Sequence, residues 1–466
     1  MKPIFEQERL FLNELLKLEL PTDCWRANSK IYLDCTCQKP LYVFKVENNK
    51  IELTKDNANL FIDYKQKKID DLISEYNDIL NSKVNDSVRF LYEYMFNPKL
   101  NHINDDKFVL GHSTGKDSTV TAHIFCLFLL DLYTQNKDSY YQIINKTDIN
   151  FANTSNDTAT TYKYAKSLIE MLKEYIDDFN SNQLVIMNPK EGWTQWLKRK
   201  DYFIPTVLTR NCCSTYKEGQ INKAYSKDNK ITHILGMRKY ESTKRAKYEY
   251  IMDYDTCSKL FGNANFPKTW IKICPIVEWR DEEVWLYILR EKIKYNEMYN
   301  LGFHRVGCLL CPMQHNYIDL LIQKYYPSRW DWWLGVLAEN YENTGVEKRL
   351  HWTYEEYCNG KWKAGISKIQ ELISKKFTEE RCVTVANELG INFEMAKKYW
   401  NRECQCGKKL NPTELGMYYK LYGRFEGVED IRKPKCKECV CEEYGIDKKQ
   451  YQKMYLNFRE QGCNLF

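Results

Sequence analysis

The chain has 466 residues, of which 43% are hydrophobic and 28% charged, with a formal net charge of +6. That is more than one ordinary domain and enough apolar matter to bury a core, while no apolar run approaches a membrane span. The mild positive charge permits an acidic partner such as a nucleotide or nucleic acid without demanding one.

In chain order, residues 1–100 are expected to be an N-terminal accessory region. Its Ile69–Phe96 stretch repeats Ile69, Leu72, Ile73, Tyr76, Ile79 and Leu80 at helical spacing. From 101 to 325 the texture changes to strands alternating with helices. Phe108–Leu110, Asp148–Ala152, Gln183–Met187 and Ile231–Leu235 read as strands, and Asp117–Tyr133 and a Tyr- and Ala-rich stretch ending near Tyr175 as helices. Such alternation predicts βαβ units, a doubly wound parallel sheet and a ligand site at the carboxyl ends of the strands. A helical region is expected over 326–400 and a small Cys-rich metal module over 401–466. The N-terminus lacks a signal-peptide apolar region, so the expected location is the cytoplasm. There eighteen cysteines read as metal ligands or redox groups rather than disulfides.

Between the first predicted strand and its helix stands Gly111-His112-Ser113-Thr114-Gly115-Lys116-Asp117-Ser118. Loop amides and a helix N-terminus would face an anion there. Ser113, Ser118 and Thr119 add hydroxyls, Lys116 a positive charge, and Asp117 a helix cap or a magnesium ligand. The spacing is not that of a Walker loop. It resembles the Ser-Gly-Gly-Lys-Asp-Ser motif of the PP-loop ATP pyrophosphatases, with Thr114 in the first Gly position.

Further segments resemble, in order, those of the phosphoadenosine phosphosulfate reductase family. Asn153-Thr154-Ser155 resembles its Asn-Thr-Gly turn, and Gly236-Met237-Arg238 with Glu241, Ser242 and Arg245 its Gly-x-Arg-x-x-Glu-Ser-x-x-Arg stretch. Pro275-Ile276 with Trp279 resembles its Pro-Ile-x-x-Trp segment. The resemblance covers about residues 107–315. It implies a PP-loop (HUP-like) α/β fold, with ATP and magnesium held by Ser113, Thr114, Gly115, Lys116, Asp117, Ser118, Asn153 and Gly236. Lys116, Asp117 and Ser118 would carry the chemistry, and Arg238 and Arg245 would face phosphate or sulfate oxygens through planar, bidentate bonds.

Cys212-Cys213 and Cys308-x-x-Cys311 resemble the four-iron, four-sulfide (4Fe-4S) site of adenylylsulfate reductases. They also resemble the arrangement in the DNA phosphorothioation sulfurtransferases (DndC-like proteins), with Lys217 as the family lysine near the substrate. A zinc site and unliganded core cysteines are the competing readings. The adjacent pair is expected to need a strained local turn. Cys404-x-Cys406 and Cys436-x-x-Cys439 predict a structural zinc site in a small ribbon-like module, with Cys441 as a spare. Lys408, Lys409, Lys420, Arg424, Arg432, Lys433 and Lys435 interleave there with Tyr418, Tyr419, Tyr422 and Phe425, which suits either nucleic acid or a solvated face. Cys24, Cys35 and Cys37 lack an obvious fourth ligand. Cys463 lies in a tail that departs from the nucleophilic Glu-Cys-Gly-Leu-His tail of sulfonucleotide reductases and reads as a chance cysteine.

Three functions follow. The first is an ATP-dependent sulfurtransferase that adenylates a substrate, possible acceptors being DNA, tRNA or a small molecule, with a cysteine desulfurase as sulfur source. The second is an adenylylsulfate or phosphoadenylylsulfate reductase. The third is a non-catalytic, zinc-bearing nucleic-acid-binding protein. The intact Lys116-Asp117-Ser118 favours the first.

Overall fold

The computed structural model describes residues 1–47, 49–200, 202, 204–206, 211–242, 245–261, 266–343, 346–347, 352–364, 383, 404, 406–410, 412–422 and 435–460. Two compact units emerge, one of Met1–Trp196 with Cys212–Trp333, the other of Leu197–Asn211 with Leu334–Phe466. Among the described residues no helix is long and apolar enough to cross a membrane.

The first unit contains both sheets. The N-terminal one is an antiparallel meander in strand order β1-β2-β3-β4-β5: β1 (Lys2–Pro3), β2 (Trp25–Ala27), β3 (Lys30–Tyr32), β4 (Tyr42–Glu47) and β5 (Lys50–Asp56). In β4 the period of two is plain, with Phe44 and Val46 buried and Lys45 and Glu47 exposed. The expected helix over Ile69–Phe96 is present as two pieces, Ile69–Glu75 and Asn77–Phe96, joined at Tyr76.

The second sheet runs β10-β11-β9-β6-β7-β8. Its strands are β6 (Lys107–Gly111), β7 (Thr147–Ala152), β8 (Leu184–Met187), β9 (Ile231–Leu235), β10 (Ile251–Met252) and β11 (Trp270–Ile273). All neighbours pair in parallel except β10 with β11. From β6 the chain steps outward to β7 and β8, then crosses back to lay β9 on the other side of β6. Strand order therefore reverses between β6 and β9, the point at which open α/β sheets form a crevice beyond their carboxyl ends. This is the predicted α/β fold, with its four predicted strands in place. The 20-residue helix Lys116–Gln135 follows β6 and is buried on most sides, with thirteen residues out of solvent. A helix of that kind belongs in the middle of a layered core. Helices Asn77–Phe96 and Asp281–Arg290 pack against it.

Candidate functional site

The loop after β6 sits at that reversal. His112 is buried, which pushes its imidazole down to about 3 and leaves it neutral, so Nδ1 accepts the Thr114 amide at 3.1 Å. Thr114 has φ +63°, in the left-handed region, where a β-branched residue is an outlier. Among the described residues its buried Oγ1 has no hydrogen-bond partner. Glycine in the family motif suits this position for a physical reason, and threonine holds it at a strain of about 1–3 kcal/mol. Gly115, by contrast, takes ordinary extended backbone as the N-cap of the helix. Ser118 Oγ donates to the Gly115 carbonyl at 2.9 Å and lies 3.3 Å from Ser113 Oγ. Gly236, just past β9, presses on the start of the helix. A Cβ there would lie 2.6 Å from the Asp117 carbonyl carbon and oxygen and 2.7 Å from the Ser118 nitrogen.

Four charged side chains close the loop. Lys116 Nζ lies 2.8 Å from Asp117 Oδ1 and 3.1 Å from Asp281 Oδ1. Arg238 is fully buried and donates from Nε to Asp117 at 2.6 Å, from Nη2 to Asp281 at 2.5 Å and from Nη1 to the Trp279 carbonyl at 3.0 Å. Burial pushes the Asp117 carboxyl up, but Lys116 and Arg238 outweigh it and hold it below its usual value. Asp281 is likewise held down against burial by Lys116, the Met1 amino group and Arg238. Arg238 is thus committed to carboxylates and a carbonyl. Arg245 pairs with Glu241 and lies over the Tyr248 ring. Asn153 donates to Asn188 Oδ1 at 2.8 Å and accepts the Ser155 amide at 2.8 Å. Asp281 and Tyr299, whose hydroxyl accepts the Lys116 amide at 2.8 Å, escaped sequence reasoning. Asp281 opens a helix after its N-cap, where an acidic residue is ordinary because it favours the helix dipole. Nothing in the spacing points to Tyr299.

The Cys308–Cys311 loop docks on the turn after β7. Leu309 donates its amide to the Asn156 carbonyl at 2.7 Å, and the Cys308 thiol donates to Thr154 Oγ1 at 3.4 Å. The Cys212-Cys213 pair stands within electrostatic reach of both Cys308 and Cys311. It adopts ordinary helical backbone at Cys213, φ −66° and ψ −43°, not the strained turn expected, and leads into one π-helical turn, Ser214–Glu218. Lys217 lies among them. Its ammonium is favoured first by Cys308, against burial, and then by Cys213, Asp157 and Cys311. Burial pushes the Cys308 thiol up to about 11 despite Lys217. Four thiols from two separated segments, with an adjoining cation, are a donor set that fits a soft iron–sulfur centre. They do not converge as tightly as ligands of a single ion do.

In the second unit they do. Cys404, Cys406, Cys436 and Cys439 place their Sγ atoms within 4.8 Å of one another. Cys404 Sγ accepts the Cys436 amide at 3.1 Å, and Gly407, φ +83°, turns the chain just after Cys406. The Cys406 thiol is held down to about 7, first by the Lys408 backbone amide. These donors fit tetrahedral zinc. Around them the described residues form helices Pro412–Tyr422, Lys437–Tyr444 and Lys448–Glu460 on a core of Met417, Val440 and Tyr451, not a ribbon. Cys441 stands outside the cluster, its thiol 3.9 Å from the Asp447 carbonyl. Several of the interleaved basic and aromatic residues are occupied internally: Lys408 with Glu414 and Glu438, Lys435 with Glu443, and Tyr418 stacked on Tyr422 at 4.6 Å. Arg424, Phe425, Arg432, Lys433 and Cys463 lie outside the described residues. Among the described residues Cys24, Cys35 and Cys37 make no comparable group.

Residues 107–314 match the phosphoadenosine phosphosulfate reductase domain. Over that span the chain is similar to a PAPS reductase domain. An uncharacterized protein of Methanocaldococcus jannaschii is 30% identical over 218 residues, 46% of this chain and 47% of that protein. A second from the same organism is 28% identical over 61% of this chain and 52% of its own. The chain thus spans about half the length of these two relatives. The adenosine 5'-phosphosulfate reductase of Shouchella clausii is 26% identical over 217 residues, 45% of this chain and 73% of that enzyme. Among solved structures, the phosphoadenylyl-sulfate (PAPS) reductase of Candida auris aligns with 17% identity and a TM-score of 0.30 over 52% of this chain and 95% of that one.

Proposed function

We propose that the PAPS reductase domain is an ATP-dependent sulfurtransferase. The observation that carries this reading is the Lys116–Asp117–Ser118 segment, set at the N-terminus of a buried helix at the strand-order reversal and locked by Arg238, Asp281 and Gly236. A substrate oxygen attacks the α-phosphorus of ATP and pyrophosphate leaves. A sulfur nucleophile then forms a bond to the activated atom of the substrate, and AMP departs with the oxygen. Lys116 and the loop amides stabilise charge building on the phosphate oxygens, where preorganised donors act most strongly. Asp117 and Asp281 are hard oxygen donors of the kind that hold magnesium beside phosphate, usually one or two carboxylates per ion. Cys212, Cys213, Cys308 and Cys311 would hold a 4Fe-4S cluster, which supplies electron transfer or sulfur relay when bound. Lys217 balances the thiolates' charge. Cys404, Cys406, Cys436 and Cys439 would hold one structural zinc. The acceptor in this reading is a nucleic acid, the nucleotide loop and the net charge of +6 both suiting an anionic partner, and a cysteine desulfurase supplies the sulfur.

The second reading, an adenylylsulfate or phosphoadenylylsulfate reductase releasing sulfite, is favoured by the name of the Shouchella clausii relative. One experiment separates them. Protein loaded with iron is given ATP, magnesium, a sulfur donor and nucleic acid in one vessel, and adenylylsulfate with a thiol reductant in another. Pyrophosphate with incorporated sulfur, both lost in Lys116→Ala, supports the transferase. Sulfite alone overturns it.

A further inference from the structure

Tyr299 ends a short turn, Glu297–Tyr299, and its side chain is 2% exposed. The ring is gripped edge-on by Trp285 at a centroid distance of 4.8 Å. The backbone on either side is bolted to the N-terminal sheet. Lys2 Nζ donates to the Tyr299 carbonyl at 3.2 Å, and Arg26 Nη2 to the Gly302 carbonyl at 2.7 Å. Both cations share the buried Glu8 carboxylate, each at 2.5 Å. The phenol therefore has one available position, and there it accepts the Lys116 amide, the first of the 20-residue helix, at 2.8 Å.

A phenolic hydroxyl also donates a hydrogen. Among the described residues no hydrogen bond uses the Tyr299 hydrogen, so a nine-tenths-buried donor is left at the mouth of the loop. The missing side chain of Gly115 leaves space beside the hydroxyl oxygen. A Cβ built on Gly115 would lie 3.4 Å from Ser113 Oγ and 3.5 Å from the Tyr299 hydroxyl oxygen, so two hydroxyls border one small space above the helix start.

We propose that the Tyr299 hydroxyl is part of the anion site, accepting the Lys116 amide hydrogen and donating its own hydrogen to a tetrahedral oxyanion of the bound nucleotide. The hydroxyl passes the donor strength of the helix N-terminus one atom further out, in a chain whose links polarise one another. The inference rests on the nucleotide reading of the loop, and it makes Tyr299 a binding residue that the motif lacks.

The test is equilibrium binding of inorganic pyrophosphate and of magnesium ATP to the iron-loaded full chain and to Tyr299→Phe. The control is Tyr295→Phe, whose hydroxyl donates instead to Asn300 Oδ1 at 2.9 Å. Loss of a hydrogen bond to a charged oxygen weakens both ligands about tenfold or more in Tyr299→Phe and leaves the control unchanged. Equal affinity in wild type and Tyr299→Phe overturns the proposal while leaving the nucleotide reading standing. Wild-type protein that binds pyrophosphate but not ATP overturns the nucleotide reading, and the pyrophosphate comparison still decides the hydroxyl. Binding of neither ligand overturns both. A chain with 3-fluorotyrosine at position 299 keeps the hydroxyl and needs no deletion. Its fluorine resonance should move on saturation with pyrophosphate, and an unmoved resonance counts against the proposal.

Discussion

Gly236→Ala tests whether the strand end and the nucleotide loop are one rigid piece. The new methyl carbon would lie 2.6 Å from the Asp117 carbonyl carbon and oxygen. Ordinary contact begins at 3.4 Å, so the two backbones must part by roughly 0.8 Å. Neither is the free end of a flexible side chain. One is the exit of β9, paired to both β6 and β11, and the other the first turn of a helix buried along its length. Overpacking of this kind costs about 1–3 kcal/mol. At about 2–4 °C per kcal/mol for a domain of this size, the melting temperature should fall by roughly 2–12 °C. The functional loss should be larger. Moving the start of the helix withdraws Asp117 from Arg238 Nε, now at 2.6 Å, and carries Lys116 with it. A misplacement of about 1 Å lowers a positioned reaction about a hundredfold. Differential scanning calorimetry and pyrophosphate release measure the two. A variant that melts within a degree of wild type and turns over normally would refute the idea that this contact sets the loop.

Three further outcomes are expected. The Asp117 and Asp281 carboxyls are held below the ordinary 3.8, so the stability they contribute is complete above about pH 4 and lost as pH falls below it. Melting temperature against pH should therefore drop on the acid side in wild type and more shallowly in Asp117→Asn, which should also melt lower at neutral pH because a buried arginine loses a charged partner. Anaerobically reconstituted protein should be brown and contain iron, and Cys308→Ser should bleach it while circular dichroism is unchanged; zinc alone in wild type would refute the cluster. The full chain should contain one further metal, zinc, lost in Cys436→Ser, with the loss making the Lys437–Tyr444 helix more protease-sensitive, since metal binding energy at such sites is folding energy.

Much of the central domain was legible because βαβ units advertise themselves. Apolar runs such as Ile231–Leu235 are bounded by turns, and buried parallel strands leave little to alternate. The N-terminal meander was not legible. Its strands β1 to β3 have only two or three residues each, too short for a period of two to register. The Lys2–Glu8–Arg26 network that ties it to the loop is formed by side chains from distant segments, and spacing carries no trace of it. The demand for positive φ at Thr114 was equally hidden, because the residue present is not glycine. In the C-terminal module the grouping of the four cysteines could be read from their spacing, whereas the helical surroundings could not. A ribbon and a helical module satisfy the same Cys-x-Cys and Cys-x-x-Cys spacing.

Arg238 shows how a motif residue can be found without its role being found. From the family stretch it was expected to offer its fork to phosphate or sulfate. In the folded chain three of its five N–H donors are taken. Nε, Nη1 and Nη2 each hold a partner, and no part of the side chain meets solvent. A ligand oxygen would meet a buried guanidinium already paired with two carboxylates. Arg238 pairs with Asp117 and Asp281 at once, and Lys116 lies against both of the same carboxylates. Planarity matters for this, because a fork can span two carboxylates at once, whereas a lysine is a point charge. Two carboxylates against one arginine and one lysine also leave the four side chains formally neutral. In the nucleotide reading proposed above, attraction for an incoming anion comes from the oriented donors around the helix start, the loop amides, the hydroxyls and the Lys116 ammonium, and depends on their geometry more than on net charge. Gly236, against Asp117 and Ser118, and Tyr299, bonded to the Lys116 amide, both bear on that same helix start.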